Sequence, residues 1–191
     1  MVESNKEDLT CPVIISSLDD IADWEARFND YGYTEDQKRY VRAAHAKMEE
    51  WIAVNEKDDW KRGTDKKGLT VDGRQSSRDL SMMRCSTLMP FLPEDIFLTL
   101  CDGTLRQEYD PNIEITKNLE KLAANTYATY QKAKRIALVI SPRDFVIITY
   151  FHKHENGDIR IIAFSVDSLA HLLPESKDIV RGELHLAGWH L

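Results

Sequence analysis

Cysteine is scarce in this sequence, and the spacing of the few that occur argues against a disulfide-stapled protein. The three cysteines among 191 residues are Cys11, Cys85 and Cys101, and no two of them form a Cys-x-x-Cys pair. An odd number of cysteines without a secretory signal is typical of reduced thiols in the cytosol. We therefore expect a cytoplasmic protein in which Cys85 and Cys101 are small, buried apolar side chains.

The sequence also lacks a long apolar run and a surplus of basic residues. No stretch approaches the roughly 20 apolar residues that a membrane-spanning helix requires. The first residues, Met1–Asp8, are acidic and polar, unlike a signal or transit peptide. A net charge of -7 does not support a nucleic-acid partner. A local basic patch could still dock on anionic lipid, so peripheral membrane contact stays open.

Catalytic and phosphate-binding motifs are absent as well. The sequence has no Gly-x-Ser-x-Gly turn, no glycine-rich phosphate loop and no His-Glu-x-x-His motif. His45 and Glu49 lie four residues apart on a predicted helix, which favours an exposed pair. Arg143 beside Asp144 favours a turn anchored by charge-assisted hydrogen bonds over a catalytic pair. We therefore predict no enzyme activity.

One cluster of polar residues has the composition of a metal site. His152 and His154 stand near Glu155 and Asp158 in the sequence. These residues flank a predicted hairpin tip, where polar side chains are normally solvated, and zinc sites use better-defined sets of ligands. We therefore predict no metal here.

The organisation of the chain indicates an N-terminal extension, residues 1–33, followed by one domain, residues 34–191. The extension combines an acidic tail with a helix-forming stretch that contains Trp24 and Phe28, four residues apart and thus on one face. A long helix is predicted from Thr34 to about Glu56, because Thr34 can cap it and acidic residues occupy its first turn.

Strand patterns dominate the rest of the domain. Lys57–Lys67 is mixed in charge and is expected to be solvated surface, with membrane docking as the alternative. Short helices are predicted over Pro93–Cys101 and residues 105–108. Strands that follow one another, instead of alternating with helices, favour an α+β domain with an antiparallel sheet. The predicted strands are Gly68–Gly73, Leu80–Leu88, Ile113–Leu122, Asn125–Ala133, Val146–Phe151 and Ile159–Val166.

Four short runs give the chain a family resemblance. They occur in a fixed order: Tyr109-Asp110, Ser141-Pro142-Arg143-Asp144-Phe145-Val146, Val180-Arg181-Gly182 and Gly188-Trp189. In this order and spacing the chain from Thr34 to Leu191 resembles the START (StAR-related lipid-transfer) family.

The resemblance implies a helix-grip (START / Bet v 1-like) fold, in which a curved antiparallel sheet grips a long C-terminal helix. It also implies a non-enzymatic protein that holds one phospholipid, ceramide or sterol molecule in an apolar cavity and transfers it between membranes without a cofactor. Family members continue beyond Gly188-Trp189-His190-Leu191 with another strand and the helix, so we expect a C-terminally incomplete domain with an open groove. The alternative is a structural or scaffold subunit whose groove a protein partner fills.

The resemblance also suggests which residues contact lipid. If Thr149 faces the cavity, then Phe145, Ile147 and Phe151 share its side of the strand, because side chains alternate. Ile161 and Ala163 are expected as neighbours across the hairpin, and Tyr130 could reach in from the preceding strand. Sterol-carrying members place an Arg at the position of Thr149 and an acidic partner near Tyr130, and neither is present. Trp189 could line a cavity, but an aromatic residue near a strand end is expected to be core.

Overall fold

The computed structural model describes residues 32–75, 80–135 and 141–191, so the helix-forming stretch with Trp24 and Phe28 lies outside the described residues. The chain divides into two compact units. The large unit comprises Met1–Trp51 and Pro93–Leu191, and the small unit comprises Ile52–Leu92.

Helices and antiparallel strands are grouped along the chain as an α+β protein requires, which confirms the predicted class. The helices are α1 (Glu35–Asn55), α2 (Pro93–Cys101), α3 (Arg106–Tyr109) and a 3₁₀ helix (Asp167–Leu172). The strands are β1 (Lys61–Lys66), β2 (Leu69–Gln75), β3 (Ser81–Thr87), β4 (Ile113–Ala123), β5 (Thr126–Ala133), β6 (Arg143–Lys153), β7 (Ile159–Ser165), β8 (Val180–Arg181) and β9 (Ala187–His190).

Helix α1 begins at a capping box. The Gln37 N–H donates to Thr34 Oγ1 at 3.2 Å, and the Thr34 N–H donates to Gln37 Oε1 at 2.9 Å. These two bonds satisfy backbone donors that the first turn of a helix leaves unpaired. Its buried residues recur at helical spacing: Tyr40, Val41, Ala44, His45 and Met48. The predicted helix and its cap are therefore confirmed.

The large unit contains a six-stranded sheet in the order β4-β5-β6-β7-β9, with β8 joined in parallel to the first residues of β6. The other pairs are antiparallel, and hairpins link β4 through β7 in sequence. Strand β6 lies at the centre, where Ile148 and Tyr150 are wholly buried.

The register divides this sheet into two faces. Tyr150 pairs with Thr126 and Ile162, and its ring meets His45 of α1 at 5.5 Å between centroids. This side, the α1 face, is therefore the one that the long helix covers. His45 is buried there and not exposed as predicted, because α1 turns it onto the sheet. The opposite side, which carries Thr149, is called the groove face.

The small unit contains the sheet β1-β2-β3. The buried carboxylate of Asp72 lies between two arginines: Arg62 Nε at 2.8 Å and Arg84 Nη2 at 2.9 Å. Arg84 also donates to the Asn55 carbonyl at 2.9 Å and stacks on the Trp60 ring at 4.6 Å. Charge-assisted hydrogen bonds thus join the three strands to one another and to Asn55 of the same unit.

The charged run Lys57–Lys67 is solvated surface as predicted, because strand β1 within it is exposed along its whole length. The strand itself was not predicted. Such a strand is not recognisable in the sequence, because neither of its faces carries the alternating apolar residues that indicate a strand. Cys85 is also exposed instead of buried, whereas Cys101 of the large unit is partly buried.

Candidate functional site

The structure brings six of the seven predicted lipid-contacting residues onto the groove face. Phe145, Ile147, Thr149 and Phe151 alternate along β6. Thr149 pairs with Ala163 and Phe151 pairs with Ile161, so the two β7 residues point to the same side. Six side chains that are far apart in sequence therefore form one continuous surface.

Tyr130 does not belong to this set. It pairs with Val146, which lies between Phe145 and Ile147 on β6 and therefore points to the α1 face. The groove-face residues of β5 are instead Tyr127, opposite Thr149, and Thr129, opposite Ile147. Tyr130 therefore points away from the face on which it was predicted. A one-residue shift in pairing exchanges the two faces of a strand. The sequence pattern does not show which alternate residues of β5 face the groove, because both faces of this strand are buried.

One end of the groove face is covered by helix α2. The ring of Phe97 meets Phe151 edge-on at 5.0 Å, and the Tyr127 ring stacks on Phe151 at 6.3 Å. Ile159 and Ile161 complete this cluster of buried side chains. Phe97 was not identified from the sequence, although its position in a helix with apolar content is a signal for packing on a sheet.

The other end is covered by the segment that follows β8. A Cβ atom at Gly182 would lie 2.3 Å from Cε1 of Phe145, so the glycine backbone rests directly on that ring. Next to it, the Leu184 N–H donates to Ser165 Oγ at 3.0 Å. The glycine in Val180-Arg181-Gly182 thus has a local physical reason, because a side chain at position 182 would collide with the Phe145 ring.

The middle of the groove face stays partly open. Thr149 and Ala163 are half-buried, while Ile147 and Ile161 beside them are buried. The Thr149 hydroxyl makes no hydrogen bond within the described part of the chain. Trp189 of β9 pairs with Ile161 and is 49% exposed. It was predicted to be core, and the structure places it instead at the rim of the open middle.

The α1 face carries an ion pair where a catalytic pair had been considered. Arg181 donates to Asp144 at 2.7 and 3.2 Å and to the Leu173 carbonyl at 3.2 Å. Asp144 is buried, while the adjacent Arg143 is exposed. The pair therefore anchors the 166–182 loop to the sheet, a structural role, although the partner is Arg181 and not Arg143.

Tyr130 lies beside this ion pair. Burial, together with the nearby Asp144 carboxylate, raises the pKa of the Tyr130 hydroxyl above its ordinary value. The hydrogen bond from Arg181 to Asp144 likewise raises the pKa of Arg181. Each group therefore keeps its usual protonation state at neutral pH, and neither is prepared to transfer a proton.

The histidine cluster lies near the β6–β7 hairpin. The His152 and His154 rings are 4.3 Å apart, and His190 Nε2 is 3.3 Å from Asp158. Burial lowers the pKa of His154. Within residues 32–75, 80–135 and 141–191, no group of three or more His, Cys, Asp or Glu side chains is arranged to hold a metal.

The described part of the chain contains no helix with the length and apolar character needed to cross a bilayer. The groove face offers packing surface and single hydrogen bonds, and the fixed charges Asp144 and Arg181 lie on the other side of the sheet. Such a surface suits an elongated apolar ligand with a small polar group.

Comparison with solved structures identifies the fold. Human StAR-related lipid transfer protein 5 is similar at a TM-score of 0.73 and 23% identity, covering 81% of this chain and 74% of that chain. Human STARD10 has a TM-score of 0.64 and 20% identity, with 74% of this chain and 58% of that chain covered. A StAR-related lipid transfer protein fragment from Xanthomonas axonopodis has a TM-score of 0.61 and 21% identity, covering 70% and 73%.

These similarities confirm the helix-grip fold with its curved antiparallel sheet. No curated protein matches the chain in sequence. The START domain model, however, matches residues 34–191. The chain therefore belongs to the START family of lipid-binding and lipid-transfer domains.

Proposed function

We propose that this chain binds a single lipid molecule against the groove face and carries it between membranes without catalysing a reaction. The observation that supports this proposal is the half-open middle of that face. There, Thr149 and Ala163 remain partly accessible between two ends that α2 and Gly182 cover. Membership of the START family supports the general class of ligand.

The side chains suit an acyl chain with one polar contact. Trp189 offers exposed apolar surface at the rim of the open middle, and the buried side chains of Ile147 and Ile161 flank it. The Thr149 hydroxyl makes no hydrogen bond with the described residues. A neutral hydroxyl can donate or accept one bond from a lipid hydroxyl, amide or ester. The ligand classes we propose are phospholipid, ceramide and sterol, and the absence of a charged residue at position 149 gives sterol no specific support.

Transfer is energetically reasonable for such a site. Release of an acyl chain into water costs about 0.8 kcal/mol for each methylene. Exchange between a bilayer and an apolar groove largely cancels this cost, because both environments are dry and apolar. We therefore propose a cytoplasmic protein that contacts membrane surfaces transiently and needs no cofactor.

Native mass spectrometry of the purified chain tests the proposal. The expected result is a one-to-one complex whose added mass matches a lipid. Ala163→Trp should reduce the bound fraction severely, because the larger side chain fills the open middle of the groove face. Tyr130→Phe is the matched control and should leave the bound lipid unchanged, since Tyr130 points to the α1 face.

A second candidate is a scaffold subunit whose groove is occupied by a protein partner. The half-exposed Trp189 beside Ile161 favours it, because an exposed aromatic on an apolar face is suited to a protein contact. A chain that purifies without lipid, and becomes monodisperse only with a partner whose binding requires Trp189, would establish this alternative and contradict lipid carriage.

A further inference from the structure

The small unit carries an apolar segment that is open to water at one end of its sheet. Leu69, at the start of β2, is 42% exposed and pairs with Thr87, the last residue of β3. Four apolar residues that follow β3 are between 51% and 98% exposed: Leu88, Met89, Phe91 and Leu92. Contiguous exposed apolar surface on a water-soluble chain marks an interaction site.

Two lysines lie at this same end. Lys66 ends β1 and pairs with Leu69, and Lys67 follows in the turn. Lys67 and Gly68 have φ values of 55° and 77°. These values are typical of a two-residue hairpin turn, in which Asn-Gly is the usual sequence. The turn thus holds two exposed cations at the sheet end that carries the apolar residues.

The acidic residues of these strands are already paired. Asp65 Oδ2 lies 3.3 Å from Arg62 Nη1, and Asp72 is held by Arg62 and Arg84. Neither Lys66 nor Lys67 forms an ion pair with a described acidic side chain. The end of the sheet is therefore apolar with a local positive charge, although the whole chain has a net charge of -7.

We propose that this end, the docking tip (Lys66–Leu69 and Leu88–Leu92), inserts into an anionic bilayer. Its leucine, methionine and phenylalanine side chains enter the boundary between headgroups and acyl chains, and the two ammonium groups contact anionic headgroups. The combination of apolar and cationic groups matches a lipid surface better than an acidic protein. The inference rests on the proposed function in one respect, because it names the surface at which lipid would be exchanged.

Cosedimentation with vesicles tests the apolar part of the tip. The vesicles contain phosphatidylcholine, alone or mixed with phosphatidylserine. Phe91→Ser/Leu92→Ser should weaken binding to the mixed vesicles by about tenfold or more. Met83→Ser is the matched control, because Met83 is 73% exposed on the same sheet but pairs with Gly73, near its opposite end. It should bind as the wild type does.

A second double variant tests the charge. Lys66→Gln/Lys67→Asn keeps the left-handed turn, which Asn accepts readily, and should weaken binding to the anionic vesicles by about fivefold for each lysine. Lys57→Gln/Lys61→Gln removes the same charge from the other end of the unit and should have a smaller effect. Added salt should reduce the difference, because screening weakens exposed charges.

The docking tip would be overturned if Phe91→Ser/Leu92→Ser bound vesicles as strongly as the wild type. It would also be overturned if the two double lysine variants lost equal affinity for the anionic vesicles. A dimer of the wild type, seen by sedimentation equilibrium, would also overturn the proposal if Phe91→Ser/Leu92→Ser dissociated it and left vesicle binding unchanged. Lipid uptake from detergent micelles, which needs no bilayer, separates the two proposals. Docking without uptake would refute the proposed function alone, and uptake without docking would refute the tip alone.

Discussion

The two sheets of this protein are stabilised by different interactions. In the six-stranded sheet, β6 buries Ile147, Ile148, Tyr150 and Phe151, and aromatic side chains pack on both faces. In the three-stranded sheet, β1 is exposed along its whole length, and the buried residue of β2 is the carboxylate Asp72. Apolar burial is therefore the main stabilising interaction of the six-stranded sheet, and charge-assisted hydrogen bonding is that of the three-stranded sheet.

The difference predicts how each sheet responds to change. A sheet stabilised by apolar area is sensitive to lost volume and largely indifferent to pH. A sheet organised around an arginine-bound carboxylate should respond to pH and to the loss of that carboxylate. Four measurements test this contrast, and the first concerns the largest expected effect.

Phe151→Ala should destabilise the large unit by about 3–5 kcal/mol, because it removes a buried ring and leaves a cavity. Phe151 is 2% exposed and contacts both Phe97 and Tyr127. Urea denaturation followed by far-ultraviolet circular dichroism gives the free energy of unfolding. A loss below about 1 kcal/mol would mean that this cluster does not hold the sheet together.

Gly188→Ala should destabilise the large unit by about 1–3 kcal/mol, since a Cβ there overfills the site. It would lie 2.6 Å from Trp51 Nε1 and 2.7 Å from the Ile161 carbonyl oxygen. In the small unit, Gly73→Ala meets nothing within 4 Å and should be neutral or slightly stabilising. Gly188→Ala should therefore lower the thermal unfolding temperature, whereas Gly73→Ala should leave it unchanged or raise it slightly. Equal decreases in the two variants would contradict the contrast.

Acid should loosen the small unit through Asp72. The hydrogen bond from Arg84, supported by Arg62, holds the pKa of Asp72 below its usual value of 3.8. The carboxylate therefore contributes stability that is fully present above pH 3.8 and is lost as the pH falls through the lower, folded-state pKa. Trp60, which stacks on Arg84, reports this loss by fluorescence.

Asp72→Asn provides the control for the acid experiment. The variant should lose stability already at neutral pH and show a flatter response of Trp60 fluorescence to acid than the wild type. Other carboxylates titrate in the same range, so the difference between the two proteins is the informative quantity. Parallel acid responses would show that Asp72 is not the titrating group.

Asp65→Asn should have the smallest effect, within about 0.5 kcal/mol. Asp65 and Arg62 form an ion pair at 3.3 Å, but the side chains are 62% and 61% exposed. Solvent screens such a pair, and Arg62 keeps its second partner Asp72. Chemical denaturation of this variant beside Asp72→Asn shows whether the buried carboxylate, and not charge pairing in general, matters in the small unit.

Much of the fold could be predicted from the sequence, because the informative signals were local. Thr34 before acidic residues indicated the start of α1, and the polar residues between the predicted strands Val146–Phe151 and Ile159–Val166 indicated the β6–β7 hairpin. Strand β1 escaped prediction because its residues bury neither face. His45 and Cys85 were misjudged because exposure depends on which element packs on which face, and spacing within one element does not contain that information.

The candidate site, too, was predicted correctly where the signal was local and incorrectly where it depended on pairing between strands. Alternation along β6 placed Phe145, Ile147, Thr149 and Phe151 together, and hairpin pairing added Ile161 and Ala163. Tyr130 lies on the other face, because the side to which a β5 residue points depends on the register of β5 with β6 and not on the hydrophobic pattern of β5 itself. The role of these residues in lipid binding stays a prediction.

The tie between Asp144 and Arg181 also has a kinetic consequence. Strands β4 to β7 follow one another as hairpins, whereas this bond joins residues 37 positions apart. Contacts distant in sequence form late in folding, and interactions absent from the transition state govern the rate of unfolding. We therefore expect the anchored 166–182 loop to set the lifetime of the folded sheet more than the speed at which it forms.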